Sequence, residues 1–432
     1  MITVNPKTQA WSILFTFSLC FFVVSAATFS SLGVVIPFMV NDLQWDWATA
    51  GMGFTLLALA CGLSGYLPSI TIKKLGVEGT LFIGLAQMVI GFILLYYTQT
   101  PAMYFGGCVL IGAGYSFVGP VPGTYIITHF FIKRATAFGF YYTMGGIGGV
   151  AGPLIVWLAN DGFGNWRVHW LITLVMIVTS VVLMLFSIKL TDTEKLKVPP
   201  KQDNEQASTR VYETRELWTF KQAIRTPQFW LICAGYMSVL FVGTTVNSFS
   251  VAHLTQIGIS FVFASTLLST EALCNAISRI VGGFIAEYFD PKAMLQTALF
   301  LLGVGMLALS FGSSPLVLFL YAFAIGFGFG LTFLSSTVLL IRYFGSTPYI
   351  QLFGAMNFTA TVAASAPYIC GYMRDVTGSF VSSFLLIGAI PMVVLVAVIF
   401  MKPPKLNNVT DAAGKSAAAD DNSLHIVKEG HS

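Results

Sequence analysis

The sequence predicts an all-α integral membrane protein: twelve transmembrane helices in two six-helix, pseudo-symmetric bundles. Three observations predict it. Of 432 residues, 56% are hydrophobic and only 9% are charged, whereas soluble domains carry about 25% charged residues. Apolar runs long enough to cross a bilayer, which takes about 20 residues, recur along the chain. The second half also repeats the landmarks of the first.

The spans are bounded at 11–40, 48–71, 77–98, 103–131, 136–160, 167–190, 228–253, 261–288, 293–313, 316–343, 348–372 and 379–401. The first run ends in a cleavage-like "VSAA" but continues to Val40, too long for the apolar core of a signal peptide. It is read as an uncleaved span. Most connections are short. The exception, 191–227, contains "TDTEKLKVPPKQDNEQASTRVYETRE", polar and poor in aromatics, and reads as a flexible cytoplasmic linker. The expected organisation is therefore a first bundle at 1–190, the linker, a second bundle at 228–403, and a disordered cytoplasmic tail at 404–432.

Basic residues set the expected topology, because Lys and Arg concentrate in cytoplasmic loops. With the N-terminus in the cytoplasm, 19 of the 22 basic residues fall on that side, among them Lys73, Lys74, Lys133, Arg134, Lys292 and Arg342. Arg167 and Arg374 fall outside. Trp45, Trp47 and Trp166 then mark the outer interface, and Trp11 and Trp230 the inner one. Both termini are expected to be cytoplasmic, and the expected location is the plasma membrane.

The repeat has an offset of about 214 residues. "IGAG" (111–114), "HFF" (129–131), Gly139, Pro153 and "DGFGNW" (161–166) answer to "IGFG" (325–328), "RYF" (342–344), Gly354, Pro367 and "DVTGSF" (375–380). Asp161 and Asp375 each lie eight residues past their proline. Parallel six-span repeats place a two-fold axis along the membrane normal and a binding site where the halves meet.

With these features the chain resembles the major facilitator superfamily of transporters over about residues 10 to 403. "GGVAGP" (148–153) resembles the superfamily's G-x-x-x-G-P motif; its glycines permit close helix approach and its proline bends the helix. "GYLPSITIKKLG" (65–76) keeps the glycine and basic pair of the loop after the second span, but Ser69 stands where the family has an aspartate. Within the superfamily, "AIRTPQFWLICAGY" (223–236), "VAHLTQIGIS" (251–260) and "HFFIKRATAFGF" (129–140) resemble connections of the monocarboxylate transporters and oxalate–formate antiporters. The resemblance implies the major facilitator fold, alternating access and carboxylate substrates.

Of forty charged residues, two fall deep inside spans, Glu271 and Arg279 in the eighth. Charge at a helix centre costs roughly 2.5–3.5 kcal/mol on insertion scales, so such residues face a cavity or a partner. Glu271, Asn275 and Arg279 are spaced by four and share a helix face. Eight residues rise about 12 Å, too far for Glu271 and Arg279 to pair directly. A guanidinium matches a carboxylate with two parallel donors and keeps its charge in apolar surroundings. The resemblance adds that an eighth-span arginine, with a polar residue one turn earlier, holds substrate in the monocarboxylate transporters; Arg279 and Asn275 occupy those positions. The other reading has Arg279 bracing the helix end against Asp290 or Glu287. Glu271 is the candidate proton carrier, or else a hydrogen-bonding strut to a neighbouring helix.

Tyr115 and Tyr125 in the fourth span, Tyr141 and Tyr142 in the fifth, and Asn357 in the eleventh are candidates to meet a carboxylate; packing is the ordinary role of a buried tyrosine. Ser25, Thr28, Ser31 and Asn247 could line the path or join helices. His129 and His253 sit at span ends and read as interfacial. No Lys or Arg lies between Arg342 and Arg374, and a single deep positive charge suits a monoanion. The expected activity is secondary transport of a monocarboxylate with a proton. Carboxylate exchange, or a transporter-like sensor, is the alternative. An enzyme is not expected: H-E-x-x-H, G-x-S-x-G and phosphate-loop patterns are absent. Six scattered cysteines suggest neither disulfide nor metal site, and neither cofactor nor nucleic-acid partner is called for. The expected partners are the carboxylate, the proton and the bilayer, and the expected functional unit is a monomer.

Overall fold

A computed structural model describes residues 6–131, 134–190, 214, 216–285, 289–345 and 347–405. Most of the expected linker, 191–213, and the tail beyond Lys405 lie outside the described residues.

Every element among the described residues is helical. The first half runs α1 (Thr8–Leu43), α2 (Trp47–Ser64), α3 (Leu67–Tyr96), α4 (Pro101–Phe130), α5 (Arg134–Phe163) and α6 (Val168–Lys189). After the one-turn helix Phe220–Ala223 come α7 (Pro227–Gln256), α8 (Phe261–Ile285), α9 (Pro291–Phe311) and α10 (Pro315–Phe344). The chain closes with α11 (residues 349–377) and α12 (Val381–Ile399). Helix starts are written locally. Thr100, Thr226, Asp290 and Ser314 each accept a backbone N–H from the turn they open, and each is followed by proline. Such a cap satisfies a donor that the helix leaves free, and proline at the first position lacks only a donor the helix does not use.

Among the described residues, eleven helices are long and apolar enough to cross a membrane. The expected span at 348–372 is the exception. It is a helix Tyr349–Ala360, a 3₁₀ turn Thr361–Ser365 and a second helix Ala366–Thr377. Thr359, Thr361 and Ser365 turn their hydroxyls onto backbone carbonyls three or four residues back, which loosens an α-helix. Pro367 then offers no N–H to the preceding turn. The second expected span, 48–71, is also corrected: its helix stops at Ser64, and Leu67 already opens α3, which bends at Gly76, φ 75°. α1 carries a buried π-turn at Ala26–Ser30, a feature frequent at functional sites. α4 breaks at Gly119, whose carbonyl accepts from Tyr141 Oη at 2.7 Å.

Packing obeys the repeat. In the first half α2 packs on α4, α3 on α4 and α6, and α1 on α5 and α6; in the second α8 packs on α10, α9 on α10 and α12, and α7 on α11 and α12. Among the described residues the most extensive crossings between the halves are α1 with α7, α2 with α11, and α5 with α8. The last two exchange under the two-fold, since α2 answers to α8 and α5 to α11.

The joint is tight at the end that carries Trp47 and Asp375. A Cβ on Gly33 would strike the Asn247 carbonyl, one on Gly51 the Pro367 carbonyl, and one on Gly371 the Trp47 carbonyl. The Asp375 carboxylate accepts the N–H groups of Trp47 (3.1 Å) and Ala48 (2.8 Å) at the start of α2. Tyr368 N–H reaches Thr55 Oγ1 at 3.1 Å. α5 and α8 touch where Gly146 meets Ala276 and Gly149 meets Ala272, and Ser269 Oγ donates to the Val150 carbonyl at 3.0 Å. Two turns further along, Gly139 on α5 and Gly283 on α8 each have open space where a side chain would sit. The halves are closely joined at the Asp375 end, and the Gly139 and Gly283 positions are open.

Candidate functional site

α8 is brought against α10 by small residues. Gly326 lies under Cys274 and the backbone of Glu271 and Asn275, and Gly330 lies under Ser278 and the Asn275 carbonyl. A side chain at either glycine would push α8 away. This close approach fixes which face of α8 looks toward the first half, and that face carries Arg279.

Arg279 is partly exposed. Its Nε donates to Asn275 Oδ1 one turn earlier at 3.1 Å, a pair the spacing permits and the sequence reading did not anticipate. Its guanidinium carbon lies 5.1 Å from the Phe333 ring centre and 5.9 Å from that of Phe329. Aromatic faces stabilise a cation without consuming its N–H groups. Tyr115 and Tyr142 of the first half, and Tyr236 and Glu271 of the second, lie within electrostatic reach of it. Among the described residues no carboxylate stands within ion-pair distance. The bracing arrangement is not formed by Asp290, whose carboxylate caps α9 instead; Glu287 lies outside the described residues.

Around this cation the walls are aromatic with polar edges. Phe21 stacks on Tyr141, ring centres 4.7 Å apart, and sets its edge against Tyr115 and Tyr142. Opposite, Tyr236 packs on Phe333 at 5.7 Å and donates to Asn357 Oδ1 at 3.1 Å. The structure thus gathers Arg279, Asn275 and Tyr115, and reaches Asn357 through Tyr236. It does not gather Tyr125, which stacks on His129 with centres 4.0 Å apart. Glu271 is buried on the same helix. Tyr236, Phe329 and Phe333 were not legible as site residues, because in apolar runs they read as packing. The available signal was the four-residue spacing of Phe329 and Phe333 on α10, the helix whose glycines meet α8.

Such a site can hold one anion by a guanidinium whose terminal N–H groups have no partner among the described residues, flanked by hydroxyl and amide groups where the two halves of the chain meet. Among the described residues no cluster of His, Cys, Asp or Glu could hold a metal ion.

A family model described as Major Facilitator Superfamily matches residues 17–365 and 233–428. The chain is 23% identical over 403 residues to a hexuronate transporter of Bacillus subtilis (strain 168), covering 87% of this chain and 90% of the relative. Solved structures with the same fold include a mutant of the nucleoside transporter NupG, at TM-score 0.70 and 15% identity, covering 90% of this chain and 99% of that one. A mutant of the peptide transporter POT superposes at TM-score 0.71 and 14% identity, covering 92% and 98%.

Proposed function

The chain belongs to the Major Facilitator Superfamily, and we propose that it moves a small monocarboxylate together with a proton by alternating access. One observation carries the reading. Arg279 places a permanent charge between the two halves, with aromatic faces and Asn275 around it and no carboxylate partner among the described residues. A cation held at membrane depth calls for an anion to meet it, and the guanidinium geometry favours a carboxylate. The likeness to a hexuronate transporter supports an acid as cargo, since a hexuronate carries one carboxylate. In this reading Tyr115, Tyr236 and Asn357 bind the remainder of the substrate, Tyr125 lines the path beyond the site, and Glu271 exchanges the proton.

The basic residues support a topology with the Gly139 end in the cytoplasm and the Asp375 end outside. Residues 1–190 and 228–403 then act as two rocking bodies, in the plasma membrane, with both termini inside.

The test is uptake of radiolabelled lactate, pyruvate, formate, benzoate and glucuronate into proteoliposomes, with and without an inward proton gradient. Gradient-stimulated uptake of a monoanion, lost in Arg279→Lys, is the expected result. In Glu271→Gln, gradient-driven uptake falls by more than tenfold while exchange of preloaded substrate is retained. Uptake of none of these acids by folded protein would overturn the cargo.

A further inference from the structure

Buried polar groups in folded proteins are nearly all hydrogen-bonded, and an exception calls for an explanation. Three exceptions lie in a row in the second half. Tyr321 Oη on α10, Ser250 Oγ on α7 and His253 Nδ1 on α7 are all buried, and among the described residues none has a partner in full hydrogen-bond geometry. They are neighbours. The Tyr321 hydroxyl faces Ser250 on one side and lies within electrostatic reach of Glu271 on the other. Ser250 and His253 are three residues apart and share a face of α7.

Their depths descend in order. His253 lies three residues from the end of α7, Ser250 six residues from that end, Tyr321 six residues into α10 and Glu271 ten residues into α8. At about 1.5 Å per residue, these are depths of about 4.5, 9, 9 and 15 Å below the Asp375 end. The sequence places His253 at an interface; the structure buries it to 1% exposure. Its Nε2 faces the Leu309 carbonyl at 3.1 Å. A carbonyl only accepts, so Nε2 carries the hydrogen and Nδ1 is left with a free lone pair.

What covers His253 is also part of the seal. Its ring packs on Phe384 at 5.0 Å and on Phe380 at 6.3 Å. Phe380 in turn stacks on Phe249 at 5.1 Å and sits edge-on to Trp47 at 5.2 Å. Trp47 belongs to the other half and carries one of the N–H groups that Asp375 holds. Parting the halves at this end removes Trp47 from the ring that roofs His253.

We propose that His253, Ser250 and Tyr321, with water completing their hydrogen bonds, form the path by which a proton passes between the Asp375 end and Glu271, and that Phe380 shuts this path whenever that end is sealed. The inference rests on the reading of Glu271 as the proton carrier. A proton arriving at His253 Nδ1 is passed to Ser250, whose hydroxyl proton moves on to Tyr321, whose own proton moves to the Glu271 carboxylate. Each hydroxyl gives one proton and receives one, and the net result is one proton on Glu271. Buried water bridges of this kind are common where two or more polar groups converge. The titratable groups that face Glu271 are Arg279 and Cys274 on its own helix and Tyr321 from α10. Among the described residues no charged group faces His253. The path lies within one half, so rocking of the halves does not break it.

The test separates proton movement from substrate movement. Wild type, Tyr321→Phe, Ser250→Ala and Phe380→Ala are reconstituted with a pH dye inside the vesicles, using whichever monocarboxylate shows uptake. Tyr321→Phe and Ser250→Ala should lose gradient-stimulated uptake and its associated acidification by about tenfold, while exchange of preloaded substrate stays within twofold. Phe380→Ala should leak protons without substrate, and the leak should vanish in Phe380→Ala combined with Tyr321→Phe. Removing an unpartnered buried hydroxyl does not harm packing, so a purely structural role predicts both activities intact. That result with a proton-stimulated wild type overturns the path and leaves the proposed function standing. A wild type that responds to no proton gradient overturns both. Stimulation by a sodium gradient alone assigns these oxygens to a cation and overturns the proton path.

Discussion

The two ends of the α5–α8 crossing are built from the same residue type and do opposite things. At Gly146 and Gly149 a built Cβ would meet the methyls of Ala276 and Ala272 at 3.0 and 3.1 Å. At Gly139 and Gly283, two turns along, nothing lies within 4 Å. Glycine packing alone therefore does not decide where the halves close. At the sealed end it is joined by groups that reach across. Asp375 caps α2, and Arg374 lies 5.7 Å from the Trp47 and Phe380 rings. Asp161, the repeat counterpart of Asp375, is exposed and has no hydrogen-bond partner among the described residues. Among the described residues, one half supplies this latch and the other does not. Rocking between such ends is what alternating access requires, with the closed end held by a few weak, reversible contacts.

The difference can be broken most severely at Gly371. Its Cβ position is already occupied by the Trp47 backbone, so Gly371→Leu forces the Asp375 end apart and arrests transport. Spin labels at Asn41 and Val376, across the sealed end, should report a shift to longer distances; an unchanged distance would contradict the seal. The reciprocal variant, Gly139→Phe, meets only open space. It should fold and bind substrate as wild type, but turn over at least tenfold more slowly because the Gly139 end cannot close. Labels at Tyr66 and Gln351 would show that end fixed open. The smallest change is Asp375→Asn. It keeps one acceptor and loses the charge at the start of α2, and a cap of this kind contributes about 1 kcal/mol. The population open at the Asp375 end should rise about fivefold, visible in the same label pair, with folding unaffected.

The spans and the repeat were legible because bilayer thickness writes apolar length directly into sequence, and because duplicated halves keep their Gly, Pro and Asp landmarks. The break in α11 was not. "TVAAS" at 361–365 contains neither Gly nor Pro, and its hydroxyls compete for carbonyls only in context. Arg279 and Asn275 were legible because a charge in a span is rare and four-residue spacing is local. Asp375 was legible as a repeat marker, but its partners lie 328 and 327 residues away in sequence. Tyr236 joins the candidate site only because α7 is set beside Phe333 and Asn357. His253 read as interfacial because a residue near a helix end faces lipid headgroups unless another helix covers it, and here α9 and α12 do.

The central claim is that Arg279 receives a carboxylate. Calorimetric titration of purified wild type and Arg279→Lys with a series of monocarboxylates, and with the uncharged amide of each, tests it directly. The account predicts that at least one acid binds and its amide does not. It also predicts that lysine weakens binding about 10- to 100-fold, the loss expected when a charge-assisted hydrogen bond worth roughly 1.5–3 kcal/mol is removed. Equal binding of acid and amide, or undiminished affinity in Arg279→Lys, would contradict it.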